Sequence, residues 1–198
     1  GGTGYAWSTG AMTAGTSVSP VTTTMYYVTV TDGNGCTNTD SVQVQVNPLP
    51  VVDAGNDETV CAGESVQIGG APTGPGGSTY VWSSAATLDD NSLANPTATP
   101  VGTTKYFVTV SDGNTCVNLD SMTVTVDTLP VAVTSPDTNI CFNDSAFLSI
   151  AGGTTYLWSP AGTLDDATSA TPIATPTTNT TYTVTVTDGN SCSSTATV

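Results

Sequence analysis

Short runs in which every second residue is apolar dominate the chain. Met122, Val124 and Val126 alternate with Ser121, Thr123 and Thr125, and Val42, Val44 and Val46 alternate with Gln43 and Gln45. Tyr106, Val108 and Val110 alternate in the same way with Phe107 and Thr109. A period of two sends successive side chains to opposite faces, so each run predicts a half-buried β-strand. Val66 with Ile68, matched by Ala146 with Leu148, predicts an earlier strand, and Trp82 falls on a middle one. Between two of these runs lies Asp112-Gly113-Asn114, whose Gly and Asn tolerate positive φ and predict a hairpin.

The strands recur in a fixed order. Tyr5-Ala6-Trp7-Ser8 returns as Tyr80-Val81-Trp82-Ser83 and as Tyr156-Leu157-Trp158-Ser159, so the three Trp stand 75 and 76 residues apart. Thr87-Leu88-Asp89-Asp90 returns as Thr163-Leu164-Asp165-Asp166, and Thr99-Pro100 as Thr175-Pro176. The run Tyr26 to Asn34 matches Tyr106 to Asn114 and Tyr182 to Asn190, each followed two residues later by a cysteine. That period suits a small sandwich domain rather than a solenoid coil. Asn47-Pro48-Leu49-Pro50 and Asp127-Thr128-Leu129-Pro130 occupy equivalent places, and their prolines suit stiff connectors. The predicted units are residues 1–47, the C-terminal part of a repeat; 48–127, a complete repeat; and 128–198, a repeat lacking its last strand. Residues 1–47 keep an apolar face whose covering strands are expected from upstream sequence or another chain, so this stretch reads as an excerpt of a longer tandem array. A chain of residues 1–198 alone is then expected to have a disordered or aggregating first repeat.

Seven or so short strands per repeat, turns at about ten-residue spacing and one Trp per repeat predict an all-β protein. Its architecture is a series of tandem immunoglobulin-like, PKD-like antiparallel β-sandwiches. Tyr106 falls where a tyrosine corner would lie, and Trp7, Trp82 and Trp158 are assigned to the core rather than to a sugar-stacking platform. The ordered motifs Val60-Cys61-Ala62-Gly63-Glu64-Ser65-Val66, Tyr80-Val81-Trp82-Ser83, Thr104 to Val110, Gly113-Asn114-Thr115-Cys116 and Asp120-Ser121-Met122 carry a resemblance. The whole chain resembles PKD-like and Ig-like repeats of very large secreted surface proteins of the Bacteroidetes. These include gliding-motility-associated adhesins exported by type IX secretion. The resemblance departs from ordinary PKD domains after the Trp, where Ser83-Ser84 or Ser159-Pro160 replaces a Gly-Asp-Gly turn. It implies a repeat module of an extracellular filament or stalk.

Composition narrows the chemistry. The chain has 198 residues, sixteen of them acidic, a single cation in Lys105, no His and no Arg, for a formal charge of −15. Nucleic-acid binding needs clustered Lys and Arg and is excluded. General-base and oxyanion chemistry loses its commonest agents, so the chain is read as no enzyme. Thr makes up about a fifth of the residues, which with Val, Gly and Pro describes short strands and tight turns and argues against helices. No window approaches a membrane span, and Gly1-Gly2-Thr3-Gly4 carries neither Met nor a signal peptide.

Five cysteines in a chain that reads as secreted imply disulfides. Cys61 and Cys141 occupy one phase of the repeat, and Cys36, Cys116 and Cys192 the other. Pairing within each repeat, Cys61 with Cys116 and Cys141 with Cys192, is preferred because it assumes nothing about stacking; it leaves Cys36 to a partner outside the segment. The rival joins Cys61 to Cys192 across the junction of two stacked repeats. A metal site is disfavoured without His or Cys-x-x-Cys.

Asp89-Asp90 and Asp165-Asp166 are read first as structural turns, then as weak calcium sites, and last as catalytic carboxylates, since neighbours on one loop do not flank a substrate. No other cofactor is expected. Gly74-Pro75-Gly76-Gly77 lacks the Lys of a phosphate loop and reads as a hairpin loop. From the resemblance come candidate O-glycosylation sites at Ser41, Ser121, Thr128 and Ser145, each preceded by Asp and followed by an apolar residue. Ordinary turn chemistry before a strand competes with that reading. The function expected is a non-catalytic structural region of a secreted fibre, stalk or cell-surface adhesin. Its partners would be neighbouring repeats, copies of the same chain, a surface polysaccharide or another cell. The alternative is a carbohydrate-binding accessory module of a secreted hydrolase, which exposure of Trp82 and Trp158 on one flat face would favour.

Overall fold

The structure is a computed structural model that describes residues 2–198. Sixteen strands and one short 3-10 turn make up its regular elements, with no α-helix among the described residues. Strands β1 (Gly4–Trp7), β2 (Thr24–Thr31) and β3 (Thr37–Val44) form one antiparallel sheet in that order. Tyr5 lies opposite Val30, and Tyr26 opposite Val42, so the alternating apolar residues share a face. Tyr26, Val28 and Val30 are only half-buried there, and Val42 is 50% exposed.

The next six strands build a sandwich from β4 (Glu58–Cys61), β5 (Val66–Gln67), β6 (Thr79–Trp82), β7 (Thr97–Ala98), β8 (Thr104–Ser111) and β9 (Val117–Asp127). One sheet runs β4-β9-β8-β6, and the facing sheet pairs β5 with β7. Tyr106, Val108 and Val110 of β8 and Met122 and Val124 of β9 are buried against Trp82, Ile68 and Ala98, as their alternation requires. Phe107 points outward and is half exposed, with the Lys105 ammonium 5.3 Å from its ring centroid.

The third group contains β10 (Val133–Thr134), β11 (Ala146–Phe147), β12 (Ile150–Ala151), β13 (Thr155–Ser159), β14 (Ile173–Ala174), β15 (Thr183–Thr187) and β16 (Ser193–Thr197). Its main sheet runs β13-β15-β16, beside the two-stranded pairs β10-β12 and β11-β14. A second core gathers Trp158, Tyr182, Val184, Val186, Leu148 and Ile150. These are tandem immunoglobulin-like sandwiches, built on separate cores from equivalent residues.

Two details refine the expected antiparallel sandwich. β4 joins β9 in parallel, with Glu58 opposite Val124 and Cys61 opposite Asp127, so the sheet is not wholly antiparallel. β6, middle in chain order, pairs only with β8 and forms the sheet edge. Trp82 is nonetheless 1% exposed, because its ring covers the core from that edge while its indole N–H donates to the Leu93 carbonyl at 3.0 Å. Trp158 is equally buried and donates to the Ser169 carbonyl. Tyr106 and Tyr182 are also buried, but their hydroxyls meet the side chains of Thr87 and Thr163 rather than a backbone carbonyl.

Candidate functional site

The two sandwiches meet at a junction that is held on both sides by hydrogen-bonded turns. On one side stands the hairpin joining β15 to β16. Asp188 Oδ1 accepts the backbone N–H groups of Asn190 at 2.9 Å and Cys192 at 3.0 Å, and Ser191 takes a positive φ of 68°. An Asx turn of this kind holds the last residue of the loop in place without help from packing. Opposite it is the turn after β4, where the Cys61 N–H donates to Glu64 Oε2 and the Glu64 N–H to the Cys61 carbonyl. Gly63 supplies the left-handed position with φ of 91°.

The two turns are covalently joined. Cys61 and Cys192 form a disulfide with Cα atoms 5.5 Å apart across 131 residues of sequence. Around the bond lies a cavity of about 200 Å³ lined by Val60, Glu64, Asp127, Asn190 and Ser191.

This overturns the preferred intra-repeat pairing. Cys61 is level with Asp127 at the end of β9, whereas Cys116 immediately precedes Val117 at its start. A strand advances about 3.3 Å per residue, so the two cysteines lie at opposite ends of the sheet, roughly 35 Å apart against a limit near 7 Å. The parallel course of β4 places its cysteine at the far end. Cys116 and Cys141 are free thiols in this chain, as is Cys36. Cys192 is 1% exposed, Cys116 is half-buried, and Cys36 and Cys141 are exposed.

Noncovalent clamps hold the connectors beside these junctions. Asn118 Nδ2 donates to the Pro50 carbonyl at 2.9 Å, and Asp120 Oδ2 accepts the Ala54 N–H at 2.9 Å. Ser194, which stands in the third repeat where Asn118 stands in the second, donates its hydroxyl to the Pro130 carbonyl at 2.6 Å. In the sequence reading Asn118 and Ser194 have no role, and Asp120 has none as a clamp. Their signal was present, since Asn118 and Asp120 fall in phase with Met122 and Val124, where an inward apolar residue is expected.

The paired acids act within their loops. Asp89 Oδ1 accepts the N–H groups of Asp90 and Thr97, and Asp165 Oδ1 those of Asp166 and Ile173, each pair fastening a loop to β7 or β14. Asp90 and Asp166 accept both backbone and hydroxyl protons from Ser92 and Thr168. These bonds hold three carboxyls below the ordinary value: Asp89 chiefly through the Thr97 N–H, Asp90 through the Ser92 hydroxyl, and Asp166 through the Thr168 hydroxyl. Among the described residues no group of three or more Cys, Asp and Glu side chains converges on a common point. Ser41, Thr128 and Ser145 are exposed, and Ser121 is half-buried beside an Asp120 already committed to Ala54. A larger groove of about 460 Å³ opens beside Cys141, between Asn139, Thr180, Tyr182 and Val198.

Comparison of the sequence with protein-family models and with curated proteins returns no match. Among solved structures, the chain is similar to the N-terminal eight Ig domains of Down Syndrome Cell Adhesion Molecule isoform 1.30.30, at 14% identity and TM-score 0.45. That match covers 89% of this chain and 30% of the other. The insect immune protein hemolin follows at 13% identity and TM-score 0.39, with 87% and 54% covered, and DIP-gamma IG1+IG2 at 11% and 0.38, with 76% and 96% covered. The chain thus spans about a third of the first of these and about half of hemolin.

Proposed function

We propose that this chain is a non-catalytic structural region of an extracellular filament, stalk or cell-surface adhesin, in which successive sandwiches are locked end to end. The observation that carries this reading is the Cys61–Cys192 bond between two different repeats, reinforced by the clamp of Ser194 on the Pro130 carbonyl of the connector. A disulfide across a junction resists bending and pulling there, which serves a load-bearing or spacing element and does nothing for a catalytic cleft. The bond also fits an oxidising compartment, in keeping with a secreted protein. The absence of His and Arg from the sequence, and acids spent on closing their own turns, accord with a role that requires no chemistry and no cofactor. The resemblance to Bacteroidetes surface repeats extends the proposal to a type IX secretion cargo, with Ser41, Thr128 and Ser145 as its accessible glycosylation candidates.

The carbohydrate-binding alternative needed Trp82 and Trp158 on a flat exposed face, and both are buried. Small-angle scattering tests the proposal. The oxidised chain should scatter as an extended, stiff particle, and the long-distance tail of its pair-distance distribution should broaden on reduction. A compact particle insensitive to reductant would refute the load-bearing reading. Labelling of intact producing cells with antibody against this region tests surface exposure.

A further inference from the structure

We infer that Cys36 and Cys141 are the two open halves of the same junction disulfide, and that each takes a cysteine from another repeat of this type, joined head to tail. The inference rests on the structural-repeat reading and adds to it a covalent partner site at each end of the described array. Cys192 bonds Cys61 of the preceding repeat. Cys36 has the repeat phase of Cys192, and Cys141 that of Cys61; Cys116 shares the phase and turn of Cys36 but is half-buried, so the exposed Cys36 is the accessible partner in a second copy.

The local geometry is repeated as well. Asp32 Oδ1 accepts the N–H groups of Asn34 at 2.8 Å and Cys36 at 2.9 Å, as Asp188 does for Asn190 and Cys192, and Gly35 takes the positive φ of Ser191. The Asp144 N–H donates to the Cys141 carbonyl as the Glu64 N–H does to that of Cys61, with Asn143 in the left-handed place of Gly63. The Cys36 half is therefore already in the conformation of Cys192, so little ordering remains there to oppose association, while Cys141 shares the turn of Cys61 without its strand pairing. Exposure differs in the direction required: Cys192 is buried in its bond, while Cys36 and Cys141 are both exposed. Beside Cys141 the groove is rimmed by Phe142, which is 77% exposed, and by polar residues that include Asn139, Thr178 and Thr180.

The chemistry is thiol–disulfide exchange. The Cys141 thiolate attacks a small-molecule disulfide such as glutathione disulfide and expels one glutathione thiolate. The Cys36 thiolate of the next molecule then attacks the Cys141 sulfur of the mixed disulfide and expels the second. Two protein thiols are oxidised to one disulfide, two glutathione molecules are released, and the two thiol protons pass to the departing thiolates or to solvent.

A second copy of this chain serves as the probe partner. In a glutathione redox buffer the 198-residue chain should give a ladder of covalent multimers on non-reducing electrophoresis, which reductant collapses. Peptide mapping of the dimer should show a Cys36 to Cys141 cross-link. C36S alone and C141S alone should remain monomeric, whereas their equimolar mixture should stop at a dimer, since each variant keeps one competent end. C116S should still form the ladder. A chain that stays monomeric, or multimers linked Cys36 to Cys36, Cys141 to Cys141 or through Cys116, would overturn the inference. The same map reads Cys61–Cys192: if that link is present while the end cysteines stay unlinked, the structural-repeat reading survives alone, and if it too is missing both fall.

Discussion

A carboxylate on an inward-facing strand position costs stability unless a donor meets it, and Asp120 meets the Ala54 N–H. Ala54 is fully buried, so removing the acceptor strands a backbone donor out of reach of water. Asp120→Ala should therefore destabilise the chain by about 1 to 3 kcal/mol in denaturant unfolding, with Asp120→Asn, which keeps a carbonyl acceptor, recovering most of it. Asp89, Asp90 and Asp166 lie on the surface, where hydrogen bonds favour their charged forms. Their folded-state values are depressed, so the stability they give is present above the unfolded value and lost as pH falls through the folded one. The melting temperature of Asp89→Asn should lie below that of the parent at neutral pH, and the gap should close as the pH drops below about 4. A constant gap across that range would remove the charge-assisted role of Asp89. The turn function of these acids was legible from their repetition; the clamp by Asp120 was not, because a polar residue in an apolar phase does not announce its partner.

At the scale of elements, alternation along β8 and β9 was enough to assign faces, since one face is buried and a slip of one residue would expose Tyr106, Val108 and Val110 together. Pairing direction was not legible. β4 is four residues long and joined to the rest by turns, so its sequence carries no sign of whether it runs with β9 or against it. That single unknown decided the disulfide: an antiparallel β4 would turn Cys61 toward the end where Cys116 lies. The edge position of β6 was equally hidden, and there the Trp82 ring closes the core in place of a further strand. Trp82→Ala should cost about 3 to 5 kcal/mol, the range for a large buried aromatic. Trp7 is half-buried, and its indole donates to Thr13 within a shorter loop, so Trp7→Ala should cost markedly less. Equal losses for the two variants would contradict the difference in cover.

At the scale of the whole molecule, burial of the apolar faces is uneven from sheet to sheet among the described residues. Val108, Val110, Val184 and Val186 are fully buried, while Val28 and Val30 in the first sheet are half-buried. Amide hydrogen exchange should accordingly be faster in β2 than in β8 or β15, because protection follows buried apolar contact. Protection of β2 equal to that of β8 would instead require a stabilising contribution that this sheet does not contain.

The staple acts at the same scale. Cys61 and Cys192 lie outside both clusters of buried apolar side chains, so reduction should leave the two cores in place and free the junction. Near-ultraviolet dichroism of Trp82 and Trp158 should be unchanged at ordinary temperature after reduction. Unfolding should nevertheless become easier, because the bond closes a 131-residue loop in the denatured chain. In the chain-entropy account a loop of that size contributes roughly 5 kcal/mol, an upper figure when two separately folded units share the loop. C61S and C192S should each reproduce the melting curve of the reduced chain, and the double variant should melt no lower than either, since both remove one bond. C116S and C141S should melt like the parent under oxidising conditions. A loss on C116S matching that on C61S would restore pairing within the repeat, and with it an antiparallel course for β4.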